Sequence, residues 1–224
     1  MNKTRNTSAL SILFSVVIII VSLFINGLGI YLTIRANIGA SPWDVLNLGV
    51  SKTLGIVYGN ASVAIAFAIL LIDVLMKEPI GLAMVIDAIV VGKSVDFFNW
   101  INLVKTPQTI IGSIVMMIVG LFIIGYTQLF YMYAALGCGP RDTLLVGLKK
   151  HIKKIPIGVV SIILLSCATF VGFLLGGQVG IGTLICALCA GPIMQFAFDS
   201  IKFDAAGIKH QNIAESLKII FKKQ

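Results

Sequence analysis

Nine acidic side chains and two histidines in 224 residues leave little from which to build a hydrolytic or metal centre. His151 and His210 both fall in basic segments, and neither stands near a plausible nucleophile. No G-x-x-x-x-G-K-[ST] phosphate loop, no G-x-G-x-x-G and no metal-ligand cluster occurs, so ATP-driven chemistry within the chain is not expected. The expectation is a protein that is not an enzyme, with no catalytic residue, no cofactor and no metal. Cysteine is scarce too. Cys138, Cys167, Cys186 and Cys189 lie in or beside apolar segments, where thiols act as small packing groups, and the Cys186-x-x-Cys189 pair has no second pair to complete a zinc site.

Charge is the most telling shortage. Only 12% of residues are charged while 58% are hydrophobic, against roughly 45–50% apolar usage in soluble domains. Segments at about 9–34, 56–76, 79–103, 108–135, 156–176 and 179–201 are long and apolar enough to cross about 30 Å of hydrocarbon at 1.5 Å per residue. They are separated by Lys77-Glu78-Pro79, Lys105-Thr106-Pro107 and Gly176-Gly177-Gln178. The run from Ala9 exceeds a signal-peptide core of about 7–15 residues and lacks a small-x-small cleavage site, so it reads as a retained first helix.

The net charge of +8 does not point to nucleic acid, because the cations cluster between apolar segments. With a cytoplasmic N-terminus the inside carries Lys3, Arg5, Lys77, Arg141, Lys149, Lys150, Lys153, Lys154, Lys202, Lys209, Lys218, Lys222 and Lys223. The outside carries Arg35, Lys52 and Lys105. That asymmetry is the positive-inside pattern and puts both termini on the cytoplasmic side of the membrane.

Two segments too short to span interrupt the series, opening as Gly39-Ala40-Ser41-Pro42-Trp43-Asp44 and Gly137-Cys138-Gly139-Pro140-Arg141-Asp142. Proline at the first helical position loses no needed N–H, and an aspartate in the first turn suits the helix dipole, so short helices are predicted at 42–53 and 141–154. The two segments belong to a longer match. At an offset of 98, Gly27 meets Gly125, Ala36 meets Ala134, Leu46 meets Leu144, Gly49 meets Gly147 and Lys52 meets Lys150. At 99, Gly59 meets Gly158, Ser62 meets Ser161, Gly81 meets Gly180, Gly92 meets Gly191 and Phe97 meets Phe196. The fold class is therefore all-α, a polytopic bundle of six transmembrane helices in two three-helix repeats at 1–104 and 105–201, followed by a tail at 202–224. Three crossings per repeat make the second enter from the opposite side, which puts the Pro42 segment outside and the Pro140 segment inside.

The candidate substrate or coupling residues are Gly39, Pro42, Asp44, Gly137, Pro140, Arg141 and Asp142 of the two segments, with Asp87, Lys93 and Asp96 of the third crossing. If the short helices dip inward, their N-termini offer free N–H groups to an anionic group. If they lie along the interface they are amphipathic connectors, a pattern clearer in the second, where Leu144, Leu148, Ile152 and Ile155 oppose Lys149, Lys150, Lys153 and Lys154. Trp43 reads as an interface anchor. Ionisable groups within crossings are costly and usually face the interior. Asp87 has no local neutralising partner, Lys93 and Asp96 are three apart and can pair, and Asp73 can reach the interface. In the tail, Ile213, Leu217, Ile220 and Phe221 face one way, as for a helix lying on an anionic leaflet.

Gly39 to Leu46 and Gly137 to Leu145, supported by Gly59-Asn60 and Gly180-Ile181-Gly182-Thr183, resemble the YczE/YyaS/YitT group of bacterial integral membrane proteins, on its YczE side. The resemblance covers about residues 10–200. It implies a permease-like membrane bundle and says little about activity. Gly92-Lys93-Ser94-Val95-Asp96 departs from its counterpart Gly191-Pro192-Ile193-Met194-Gln195, so any role of Lys93 and Asp96 is not symmetric. Two function classes follow: a small secondary transporter or permease, suggested by inverted repeats, or a non-transporting accessory protein, suggested by the basic tail. The expected partners are the lipid bilayer, a small solute or ion and further copies of the chain, with no nucleic acid.

Overall fold

The computed structural model describes residues 8–152, 154–203, 208 and 211–220, the side chain of Ile220 excepted. Lys3, Arg5, Lys153, Lys209, His210 and the tail residues Phe221, Lys222 and Lys223 lie outside the described residues. Nine helices make up those residues: α1 (Ala9–Arg35), α2 (Pro42–Leu54), α3 (Tyr58–Leu75), α4 (Leu82–Trp100), α5 (Ile110–Tyr133), α6 (Pro140–His151), α7 (Ile157–Leu174), α8 (Ile181–Ser200) and α9 (Ile213–Ile220). Six long helices thus fall where long apolar segments were expected. Five of them, α1, α3, α5, α7 and α8, are long and apolar enough to cross a membrane. The sixth, α4, has 19 residues but carries Asp87, Lys93 and Asp96. The exposed side chains of α1 and α7 are large and apolar, Leu10, Leu13, Phe14, Ile162, Phe170 and Leu174 among them, as lipid contact requires.

The elements stop where their sequences predict. Pro42 and Pro140 each occupy the first turn of a short helix, and Gly55 in the left-handed conformation ends α2. The second short helix is displaced from its expected 141–154: it runs from Pro140 to His151, and Ile152 has left helical geometry.

Packing partners exchange between the halves. α1 lies against α5 at the centre, α4 against α1 and α8 against α5, while α2 packs on α7 and α6 on α3. The central crossing forms where two glycines face each other, since a methyl on Gly29 would come within 2.8 Å of the Gly120 carbonyl and one on Gly120 within 2.7 Å of the Gly29 carbonyl. Asn26 Nδ2 donates to Thr127 Oγ1 at 2.9 Å beside it. The loops before the short helices are gripped by the opposite half in the same way. The Gly182 N–H donates to the Ile38 carbonyl at 2.7 Å, and the Ala83 N–H to that of Leu136 at 3.1 Å. Each of these residues is 98 or 99 positions from its counterpart. Gly39 (φ +113°) and Gly137 (φ +122°) make those loops feasible twice over, because the backbone disfavours a side chain and a methyl would lie 2.7 Å from the Gly180 nitrogen or the Gly81 Cα.

One pairing breaks the correspondence. α3 packs closely on α4 where Gly59 meets Gly92, but α7 and α8 diverge. A cavity of about 600 Å³ opens between them, lined by Leu165, Thr169 and Phe173 of α7, Thr183 and Ala187 of α8, and Pro42.

Candidate functional site

The two Pro-Asp helix starts meet inside the bundle. The Arg141 guanidinium lies 5.2 Å from the centre of the Trp43 ring, so the starts adjoin each other and do not sit on opposite faces as charge counting had placed them. Trp43 is a stacking partner for a cation here, and not an interface anchor alone. Arg141, counted among the cytoplasmic charges, is only partly exposed and lies within electrostatic reach of Tyr58, Asp87 and Asp142.

The duplicated aspartates have different surroundings. Asp44 is 2% exposed and fully engaged: the Ser41 hydroxyl donates to Oδ2 at 2.5 Å and the Tyr58 hydroxyl to Oδ1 at 2.7 Å, while Asn47 Nδ2 donates to the Tyr58 oxygen at 3.1 Å. In the second half Gly139 stands where the first has Ser41, and Ile157 where it has Tyr58, so both donors are missing. Asp142 is exposed to water and receives only a long bond from Gln128 Nε2 at 3.5 Å. Asp87 of α4 approaches from the other side of Gly139. Tyr131 of α5, 2% exposed, points its hydroxyl to the same place without a hydrogen-bond partner.

Lys93 and Asp96 do not pair with each other, although their spacing allowed it. Lys93 Nζ donates to Asn60 Oδ1 at 2.5 Å, and Asp96 Oδ1 accepts the Gly59 N–H at 2.7 Å. Both side chains are drawn across to α3, because the Gly59–Gly92 contact brings the Gly59 N–H within reach of Asp96 and the Asn60 amide oxygen within reach of Lys93. They serve as a cap and a clamp between helices. Asp73 is not at an interface: it is fully buried and both carboxylate oxygens lack a partner. Nearby, Glu78 pairs with Lys150, which therefore does not present a freely solvated basic face on α6.

A second cavity, about 880 Å³, leads from one end of the bundle to Tyr58 and so to within one hydrogen bond of Asp44. Arg35, Asn37, Lys52, Asp96 and Gln178 line it. At the other end the counterpart of Asn37 is Ala135, whose carbonyl accepts the Gln211 N–H at 2.9 Å, while the Ile213 N–H donates to the Ile80 carbonyl at 2.9 Å. Gln211 is 1% exposed. The tail is thus fastened to the bundle, with Ile219 of α9 packed on the cluster around Ile12 and Ile19 of α1.

With this arrangement in view, a family model matches residues 13–199, described as a family of unknown function, DUF6198. The chain belongs to the DUF6198 family. Its similarity to an uncharacterized protein of Haemophilus influenzae is 29% identity over 184 residues, 82% of this chain and 83% of that protein. The Bacillus subtilis uncharacterized membrane protein YczE is 29% identical over 181 residues, covering 78% of this chain and 81% of YczE. The Bacillus subtilis uncharacterized protein YyaS is 27% identical over 183 residues, 80% of this chain and 89% of YyaS. These relatives bear out the resemblance read from the two Pro-Asp segments. No solved structure matches the chain.

Sequence reasoning singled out Asp44, Asp87, Arg141 and Asp142, and the fold brings Arg141 within electrostatic reach of Asp87, of Asp142 and of the Tyr58 that donates to Asp44. It did not single out Tyr58, Ser41 or Tyr131. The missing donors at positions 139 and 157 were visible in the repeat alignment as Ser41 against Gly139 and Tyr58 against Ile157, and that comparison would have found two of the three.

Proposed function

We propose that this DUF6198 protein is a small secondary transporter or permease of the bacterial cell membrane, with six crossings in two inverted repeats and both termini in the cytoplasm. The observation that carries the reading is the meeting of Arg141 with Trp43, one from each half and 98 positions apart, with Asp87 and Asp142 within electrostatic reach of the same guanidinium. Equivalent residues in contact lie close to an approximate two-fold axis, and transporters with inverted repeats hold their substrates at such a place between discontinuous helices. Support for the symmetry comes from the exchanged partners of α2 and α6 and from the matched bonds at Ile38 and Leu136. Departure from it fits alternating access: the cavity at Tyr58 is open at one end, and the corresponding position at the other is covered by the tail. Nineteen residues of α4 rise about 28 Å, and turning Asp87 toward Gly139 and Arg141 and tying Asp96 to α3 let that helix span despite its charges.

Two experiments test this. In a background where the four cysteines are replaced, single cysteines at 52 and 105 should react with an impermeant maleimide from outside intact cells, and those at 77 and 202 only after the membrane is opened. In proteoliposomes the wild type should exchange at least one member of a panel of amines, amino acids and inorganic ions, and Arg141→Ala should not. Folded protein that moves no member of the panel would leave the accessory-protein reading in its place.

A further inference from the structure

Three oxygens converge on one point beside Gly139. A methyl group there would lie 3.0 Å from Asp87 Oδ2, 3.6 Å from Asp142 Oδ2 and 3.9 Å from the Tyr131 hydroxyl. They come from three different helices, α4, α6 and α5, and a side chain at position 139 would press against the nearest of them. Asp87 is half-buried and Asp142 is reached by water, and holding two carboxylates side by side is unfavourable unless positive charge offsets it. Arg141 is within reach of both, yet its guanidinium is drawn over Trp43 and forms no ion pair within 4 Å among the described residues.

The Tyr131 hydroxyl is the independent observation. A fully buried hydroxyl without a partner costs about 1–3 kcal/mol, and this one faces the point the carboxylates surround. The other half has no such arrangement, because Thr33, Cys186 and Ser41 stand where Tyr131, Asp87 and Gly139 are, and the hydroxyl of Ser41 satisfies Asp44 directly. One half therefore holds two carboxylates beside an unpartnered hydroxyl, and the other a carboxylate whose donors are already in place.

We infer that Asp87, Asp142 and Tyr131 form a site for a monovalent cation, either an alkali ion or the ammonium group of an amine. Two carboxylates with one nearby guanidinium leave a single net negative charge, which suits one positive charge. A divalent metal is not favoured, since no group of three His, Cys, Asp or Glu side chains among the described residues could hold one. The anionic group that the helix N-termini alone suggested is disfavoured, because Asp44 and Asp142 already occupy the first turns of α2 and α6. Beside the transport reading this names the class of substrate or coupling ion.

The test is thermal unfolding of the full chain in detergent at constant ionic strength, with sodium, potassium or methylammonium chloride exchanged for N-methyl-D-glucamine chloride. At least one of the three should raise the melting temperature saturably. The rise should vanish in Asp87→Asn, Asp142→Asn and Gly139→Ala, and persist in the control Asp199→Asn. A response to sodium or potassium identifies an alkali ion, and one to methylammonium identifies an amine headgroup. No saturable rise with any of them, or an undiminished rise in the Asp87→Asn/Asp142→Asn double variant, overturns the site. Binding without flux would sink the transport reading and leave the site standing. Flux in the absence of any cation-dependent rise would do the reverse.

Discussion

Trp43 and Arg141 occupy the same place in the two halves of the chain, and the guanidinium of one lies 5.2 Å from the ring centre of the other. On the proposed two-repeat reading, such positions meet only near the axis relating the repeats. The contact also ties the N-terminal turn of α2 to that of α6, each of which packs on a long helix of the other half.

If the contact couples those halves, the aromatic ring matters more than its bulk. Trp43→Phe keeps a π face and should retain flux within about threefold of wild type. Trp43→Ala removes a cation–π interaction of about 0.5–2 kcal/mol and should lower flux by up to about thirtyfold. Arg141→Lys keeps the charge but loses the planar stacking group, so it should fall between wild type and Arg141→Ala. Initial rates in proteoliposomes check the order, and wild-type flux in Trp43→Ala would break it.

The paired aspartates should separate stability from function. Asp44→Asn turns an amide toward the Ser41 and Tyr58 hydroxyls, which donate in the native network, and leaves a buried donor facing a donor. A loss of about 1–3 kcal/mol is expected, seen as a lower melting temperature in detergent. Asp142 is exposed to water and weakly bonded, so Asp142→Asn should melt close to wild type yet lose flux. The opposite ranking of melting temperatures would show that the two sites have been assigned the wrong way round.

Glu78 provides a third case. Its side chain is 5% exposed and rests on Lys150, which is 57% exposed. Lys150→Ala strands a buried carboxylate, whereas Lys150→Ala/Glu78→Gln removes the charge as well. The single variant should therefore be the less stable of the two, by about 1 kcal/mol after allowance for the solvent around the lysine. Equal melting temperatures would mean that the pair contributes nothing to holding α6 on α3.

Much of this was legible without coordinates. A shortage of charge with six long apolar segments dictates membrane-length helices, because an unpaired backbone cannot be left in hydrocarbon. Proline and glycine marked the short helices to within three residues, since their effect on the backbone is local. The matched glycines were legible for the same reason: positive φ at Gly39 and Gly137 admits few alternatives.

What the chain order could not reveal is which side chains meet. The spacing of Lys93 and Asp96 suits an ion pair, but the close approach of Gly59 to Gly92 offers each a partner on α3 that spacing along one helix cannot show. Charge counting placed Arg141 in the cytoplasm because such counting treats a loop as solvent, while the fold turns that loop inward onto Trp43. The membrane class and the helices are thus properties of local sequence and composition. The meeting of Asp87, Tyr131 and Asp142 beside Gly139 is decided by the tertiary structure, because the three come from separate helices whose packing no local pattern specifies.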